Sequence, residues 1–160
     1  MPATPITPAS RFFRPGTTKC YWVVSISNIN APSRPELNAG SDLSKDIADI
    51  AGWMVSGQKI DTPDLNSTFV SNIPGLTSAD ESSITFYAGE TGVDVRSLMP
   101  RNTAGNIVWL DGGDVAGRKM DVFPVRILSV GKQRSMGAEA ARITIQYAIS
   151  SVPAEDVTIP

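Results

Sequence analysis

The sequence predicts a mainly β protein: an antiparallel β-sandwich or barrel with one short flanking helix and extended arms at both ends. Short runs rich in β-branched and aromatic residues recur between clusters of turn residues. The run 141–150, ARITIQYAIS, alternates between apolar and polar residues, as a strand with one buried face does. Both chain ends carry prolines, which favour extended chain over core elements.

We expect residues 1–18 to form an extended N-terminal arm, residues 19–151 the β-sandwich domain, and residues 152–160 a C-terminal arm. Within the domain, about seven strands are predicted, at 19–27, 53–60, 67–75, 82–89, 106–112, 118–131 and 141–150. The segment 44–55 is ambiguous, because Ile47, Ile50 and Ala51 have helical spacing but Gly52 interrupts the pattern.

Helical signals are few. One helical turn is expected after Pro35, and the best helix candidate is 91–100, with Val93, Ser97 and Leu98 on one side and a proline at its end. In the strand at 118–131, Pro124 predicts an edge position or a bulge, because proline cannot donate to the ladder.

Composition excludes several classes of function. The 160 residues contain no histidine and one cysteine, Cys20, and they carry 14 basic against 16 acidic side chains. Without histidine the commonest general base and metal ligand are missing, and with one cysteine so are the usual zinc sites. We therefore expect that the protein is not an enzyme and that it binds no cofactor. The charge balance disfavours a protein that grips nucleic acid, and no apolar run approaches the ~20 residues of a membrane helix, so no membrane partner is expected.

The loop Asp111-Gly112-Gly113-Asp114 is the clearest candidate for chemistry. A calcium loop needs oxygen ligands at its third and fifth positions, where Gly113 and Val115 stand here. The following GDVAGRK lacks the spacing of a phosphate loop. Because strand-like runs flank an Asp-Gly pair, the loop is predicted to be a hairpin turn.

Asp61 and Asp64 are three residues apart with Pro63 between them. Paired carboxylates can serve acid–base chemistry, but a turn whose aspartates cap local amides is the favoured interpretation. An enzyme that uses Asp61, Asp64 or Asp111 with a metal is the least favoured function.

Several stretches resemble, together and in order, the major tail tube proteins of long-tailed bacteriophages that infect actinobacteria. They are RFFRPGTTKCYWVVSISN, APSRPELNAGSDLS, IDTPDLNSTFVSNIPG, SSITFYA, DVRSLMPR, NIVWLDGGD, MDVFPVRI and the final VPAEDVTIP. The resemblance implies a β-sandwich with a flanking helix, whose subunits form hexameric rings stacked into a tube that conducts DNA. It implies as partners the chain itself, a tape measure protein, a tail terminator, and DNA that passes without specific binding. It also implies a place in the phage tail, after assembly in the host cytoplasm. The alternative is a head decoration protein or an adhesion module of the virion.

In such a tube, the wet face of the last strand is expected to line the lumen through Arg142, Thr144, Gln146 and Ser150. Few cations on that face would let a polyanion slide. Arg142 departs from this picture: either it pairs with a carboxylate across the subunit boundary, or the two faces are reversed.

Two further regions are candidate contacts. The N-terminal segment is either a disordered tail or an arm that docks on a neighbour, with Phe12, Phe13 and Arg14 as the contacting residues. Both arms would tie one ring to the next. Asp111 and Asp114 are expected to contact a neighbouring subunit from their loop.

Overall fold

The structure is a computed structural model and describes residues 2–160. The chain divides into two compact units. The first contains the residues up to Ser44 together with Asn106–Val122 and Pro153–Pro160, and the second contains Lys45–Gly105 and Phe123–Val152.

Strands dominate both units. In chain order the strands are β1 (Lys19–Val23), β2 (Ser41–Asp42), β3 (Ile47–Ala51), β4 (Val55–Thr62), β5 (Ser71–Ala79), β6 (Ser82–Tyr87), β7 (Ala104–Leu110), β8 (Lys119–Gln133), β9 (Arg142–Ile149) and β10 (Ala154–Thr158). The helices are α1 (Arg34–Asn38) and α2 (Val95–Leu98). Between residues 2 and 160, no helix has the length and apolar character to cross a membrane.

In the first unit, β1 lies between β2 and β7, and β10 pairs with the first part of β8; all three pairings are antiparallel. The core of this unit is aliphatic and includes one residue of α1; it consists of Val23, Leu37, Val108, Leu110, Met120, Val122, Ala154, Val157 and Ile159. Helix α1 begins with a capping box, in which Ser33 and Glu36 satisfy each other's backbone amides.

In the second unit, the strand order is β8-β9-β6-β3, and every neighbour is antiparallel. Its core contains the inward side chains of β6, β8 and β9: Ile84, Phe86, Ile127, Ile143, Ile145 and Tyr147. Strands β4 and β5 form a separate two-stranded hairpin within this unit.

Gly52 and Trp53 connect β3 to this hairpin, and both have positive φ, 81° and 67°. A Cβ on Gly52 would lie 2.2 Å from the carbonyl oxygen of Glu81, so only glycine fits there. Trp53 packs its ring 5.3 Å from that of Phe123 and 5.2 Å from that of Tyr147. The hairpin is therefore anchored at its base by a tight turn and an aromatic cluster.

The structure confirms a mainly β fold with antiparallel pairing, and it has two short helices. The turn after Pro35 is α1. Pro124 lies between the part of β8 that pairs with β10, up to Val122, and the part that pairs with β9, from Val125. The alternation predicted for 141–150 is present as well, with Ile143, Ile145 and Tyr147 buried.

Three expectations are corrected. The ambiguous segment 44–55 contains β3, an edge strand. The helix expected at 91–100 begins only at Val95, because Asp94 caps it by accepting the amide of Arg96; its buried residues are Val95 and Met99, whereas Val93 is 81% exposed.

The third correction concerns residues 152–160, which were expected to be an arm. They contain β10, and Val157 and Ile159 are buried in the core of the first unit. The alternating apolar residues outweigh the flanking prolines, because each buries its side chain against β8 or its neighbours.

Candidate functional site

The central feature of the second unit is a polar surface on one side of its sheet. In β9, Thr144 and Gln146 point away from the buried side chains of Ile143, Ile145 and Tyr147. Residues directly opposite each other in neighbouring strands share a face, so the register extends this surface across β6, β9 and β8. We call it the polar face; its uncharged members are Ser83, Thr85, Ser129, Gln133, Thr144 and Gln146. The same register places the charged side chains of Asp49, Arg126 and Arg142 on this face.

Hydrogen bonds connect the polar face across its strands. The hydroxyls of Thr85 and Thr144 lie 3.0 Å apart and share a hydrogen bond. Gln133 Nε2 donates to Thr144 Oγ1 at 2.8 Å, and Ser129 Oγ donates to Gln146 Oε1 at 2.7 Å. These bonds fix the hydroxyl and amide groups of the polar face in one layer.

The sequence-predicted residues of this surface are placed as follows. Arg142, Thr144 and Gln146 lie on one face of β9, on the side away from its buried side chains. Arg142 is half-buried at the end of the strand, opposite Tyr87 and Gln133. Ser150 lies beyond the end of β9 and is exposed, and its amide donates to the carbonyl of Pro124.

The acidic glycine loop joins parts of its own chain. Asp111 pairs with Arg14 and accepts, through its carbonyl, the hydroxyl of Thr18. Asp114 accepts two hydrogen bonds from Arg34, one of them 2.7 Å long, and one of 2.9 Å from the hydroxyl of Tyr21.

These contacts shift the pKa values of Asp114 and Tyr21. The hydrogen bond from Arg34 lowers the pKa of Asp114. Burial, and then the hydrogen bond to Asp114, raise the pKa of Tyr21 to about 12. Within the first unit, the loop therefore holds the end of the N-terminal segment, through Arg14, and the start of α1, through Arg34. We call these contacts of the loop the clasp.

Neither this loop nor Asp61 and Asp64 has the arrangement of a metal site. Among residues 2–160, no group of three or more His, Cys, Asp or Glu side chains could hold a metal ion. Asp61 pairs with Lys59 at 3.2 Å, and Asp64 accepts the amide of Asn66 at 2.9 Å. Both aspartates are exposed. Asp64 lies in the loop of the hairpin, as predicted, whereas Asp61 lies within β4 opposite Asn72, so the turn predicted to begin at Asp61 begins only after Thr62.

The N-terminal segment has no helix or strand over residues 2–13 and is exposed throughout. Phe12 and Phe13 are 54% and 77% exposed. The Arg14 guanidinium lies 5.9 Å from the centre of the Phe12 ring, and the same side chain pairs with Asp111. Of the three candidate contacts, Arg14 thus has partners in its own chain, whereas both phenylalanines present apolar surface.

The β4–β5 hairpin is a second apolar surface, and sequence reasoning missed it. Both of its strands were predicted in part, but their pairing away from the core was not. Its exposed apolar side chains are Ile60, Leu65, Phe69, Val70, Ile73 and Leu76. An isolated two-stranded hairpin is marginally stable in water, so this one is expected to gain stability from a partner surface.

The residues that the structure describes thus present a polar sheet face and two exposed apolar surfaces. The family model for phage tail tube proteins matches residues 4–160. The chain therefore belongs to the phage tail tube protein family, and it is a structural component of the phage tail rather than an enzyme. No curated protein matches it.

Among solved structures, the chain is similar to one from the cryo-EM structure of the anti-feeding prophage baseplate, determined with six-fold symmetrisation. The two are 9% identical, the match covers 91% of this chain and 94% of the other, and the TM-score is 0.57. The likeness is one of fold.

Proposed function

We propose that this chain is the subunit of a phage tail tube, that six copies form each ring, and that the rings stack around a lumen lined by the polar face. Through that lumen DNA passes during ejection. The observation that carries the proposal is the polar face itself, on which uncharged hydroxyl and amide groups of neighbouring strands are bonded to one another.

The charge of this surface suits a conduit for DNA. A lumen lined with lysine and arginine would bind phosphates and release counterions, and each such contact would hold the DNA back. Thr144 and Gln146 are polar enough to stay hydrated, but they carry no charge that binds a phosphate. A hydrated surface with few cations lets the polyanion move.

The exposed apolar surfaces support self-association. The β4–β5 hairpin and the N-terminal segment with Phe12 and Phe13 present apolar side chains to solvent. Burial of such side chains stabilises an assembly by about 25 cal/mol per Å². We assign these two surfaces to contacts between copies. The loop residues Asp111 and Asp114 then serve the subunit interior, and any contact they make with a neighbour is secondary.

Six copies per ring is the number suggested by the similarity to a chain from a six-fold symmetrised baseplate. The tape measure protein and the tail terminator are the proposed partners inside and at the end of the tube. We further propose assembly in the cytoplasm of an actinobacterial host, on the sequence resemblance described above.

Negative-stain electron microscopy of the purified protein at increasing concentration tests the proposal. We expect rings and stacked tubes. A protein that stays monomeric at the highest concentration, and is absent from tails in phage particles, would overturn it. A discrete oligomer without stacking would instead favour a head decoration or adhesion module.

A further inference from the structure

Residues 47–87 form one long antiparallel hairpin that is interrupted near its middle. One half of it, β3 with β6, belongs to the sheet of the second unit, and the other half is the β4–β5 hairpin. On each strand, three residues separate the last pair of the first half, Ala51 with Ser83, from the first pair of the second half, Val55 with Ala79. Because the number is the same on both strands, the two halves keep one register across the interruption.

Specific contacts bridge this interruption. The amide of Trp53 donates to Ser82 Oγ at 3.1 Å, and the same hydroxyl donates to the carbonyl oxygen of Asp80 at 3.1 Å. Ser82 is 1% exposed, and its hydroxyl connects the two strands at the point where their pairing is interrupted. We call Gly52, Trp53 and Ser82 the joint.

Trp53 holds the joint in a conformation that its own backbone disfavours. Its φ of 67° is an outlier for a bulky residue, and such a conformation persists only where the surroundings determine it. Those surroundings are the rings of Phe123 and Tyr147, with centroids 5.3 Å and 5.2 Å away, and the carbonyl oxygen of Ser83, which accepts from Trp53 Nε1 at 3.3 Å. The packing of the indole on the sheet thus sets the direction of the chain as it leaves β3.

The β4–β5 hairpin has no share in the core beyond the joint. None of the side chains from residue 54 to residue 80 is buried. A segment without buried side chains has little to hold it against the rest of its unit. The direction in which the hairpin leaves the sheet therefore depends on the joint.

That direction matters because the two sides of the hairpin differ. Ile60 stands opposite Ile73, so both lie on one side, where they are 51% and 52% exposed. Lys59 and Asp61 lie on the other side, since side chains alternate along a strand, and they form an ion pair of 3.2 Å. Only the isoleucine side gains free energy from burial against an apolar surface, so a contact requires that this side is turned towards the partner.

We propose that Trp53 and Ser82 are positioning residues for assembly. Through the joint they fix the direction of the hairpin before two copies meet, so that the side with Ile60 and Ile73 faces a second copy of this chain. A segment that is already held in its bound direction need not be ordered on contact, which favours association. This inference rests on the tube assembly proposed above, in which the hairpin is a contact between copies.

Trp53→Gly tests the positioning role. Glycine adopts the positive φ without strain, so the variant removes the ring that anchors the joint and leaves the side chains of the hairpin unchanged. We expect the concentration for half-assembly to rise roughly tenfold or more, because the hairpin must then be ordered on contact. Trp53→Phe keeps a ring against Phe123 and Tyr147 and is expected to assemble within about threefold of the parent. Sedimentation velocity and electron microscopy measure the assembled fraction.

Gln58→Gly is the matched control. Gln58 is an exposed residue of β4, and its replacement gives the same strand additional backbone freedom without touching the joint. It is expected to assemble within about threefold of the parent.

A distance measurement separates the direction of the hairpin from its stability. Spin labels are placed at Asn66→Cys, in the loop of the hairpin, and at Lys132→Cys, in β8; both positions are exposed, whereas the native Cys20 is buried. At a concentration where the protein is monomeric, we expect a narrow distance distribution in the parent and a broad one in Trp53→Gly, with similar circular dichroism. If Trp53→Gly does not fold, Ser82→Ala keeps every ring in place and is expected to broaden the distribution and to weaken assembly in the same direction.

The outcomes separate this inference from the proposed function. A parent protein that forms no assembly overturns the proposed tube, and the positioning role with it. If the parent assembles and Ile73→Ser assembles equally well, the hairpin is not the contact and the inference is wrong. If the parent and Trp53→Gly assemble alike, if both give the same distance distribution, or if Trp53→Phe is as impaired as Trp53→Gly, only the positioning role is overturned.

Discussion

The clasp formed by the acidic glycine loop gives the sharpest stability prediction. In Asp114→Asn the side chain keeps its size but loses the charge that holds Arg34 and Tyr21. The Asp114 side chain is 17% exposed, whereas that of Arg34 is 40% exposed. Hydrogen bonds to a charged group contribute about 1.5–3 kcal/mol each when buried. Because solvent screens the exposed guanidinium, we expect a net loss of about 2 kcal/mol.

For a chain of this length, 1 kcal/mol corresponds to about 2–4 °C in Tm, so the expected decrease is about 4–8 °C. Thermal unfolding by circular dichroism, at a concentration where the protein is monomeric, measures it. Asp111→Asn is the matched control in the same loop: its ion pair is more exposed, 39% and 61%, and its loss is expected to cost less than about 1 kcal/mol.

A second readout is specific to the clasp. Because Asp114 contributes to the raised pKa of Tyr21, Asp114→Asn should lower that pKa in a spectrophotometric titration. The reasoning is refuted if Asp111→Asn lowers Tm as much as Asp114→Asn, or if the Tyr21 pKa does not move.

Three further predictions concern other parts of the chain. Gly52→Ala is expected to destabilise the second unit by about 1–3 kcal/mol, because the added Cβ would lie 2.2 Å from the Glu81 carbonyl oxygen; an unchanged Tm would contradict this. In the first unit, hydrogen bonds from Ser27 and Ser33 lower the pKa of Glu36 from 4.5 to about 2. Its stabilisation is therefore complete above pH 4.5 and is lost as the pH falls towards 2, so Glu36→Gln should flatten Tm against pH in that window. Equal pH slopes in parent and variant would refute the assignment. Ile145→Ala removes a fully buried side chain and should lower the free energy of unfolding by about 2–5 kcal/mol, as denaturant titration would show; a loss below 1 kcal/mol would argue against its burial.

The lumen interpretation predicts a separate effect on DNA transport. Thr144→Lys places a cation in the middle of the polar face. In phage that carry this variant, tubes should still form, but ejection should slow at low salt and recover as salt weakens phosphate binding. Thr144→Ser is the control. Unchanged ejection kinetics in Thr144→Lys phage would contradict the placement of this face towards DNA.

The sequence predicted correctly those elements whose own residues form a clear pattern. The alternation of β9 identified both its buried and its polar side chains, because a period of two follows directly from strand geometry. Strand β3 was ambiguous because Ile47, Ile50 and Ala51 satisfy helical spacing, and only the pairing with β6 decides between the two. The C-terminal β10 was predicted as an arm because its stability comes from β8, more than 20 residues away in sequence.

The contacts of the acidic glycine loop likewise could not be predicted from local sequence patterns. The acidity of Asp111 and Asp114 was evident, but their partners Arg14 and Arg34 lie 97 and 80 residues away, so no local pattern connects them. For Arg142 the sequence left two alternatives, a carboxylate across the subunit boundary or a reversal of the two faces. The structure places Arg142 on the same face of β9 as Thr144 and Gln146, and the choice between the alternatives stays a prediction.

The central claim is that this chain assembles into a tube with the polar face towards the lumen. Cryo-electron microscopy of the assembled protein tests it most directly, because it locates β9 relative to the tube axis. We predict that Thr144 and Gln146 line the central channel in every ring. A tube in which these two residues face the outer surface, or a protein that forms no tube, would contradict the account.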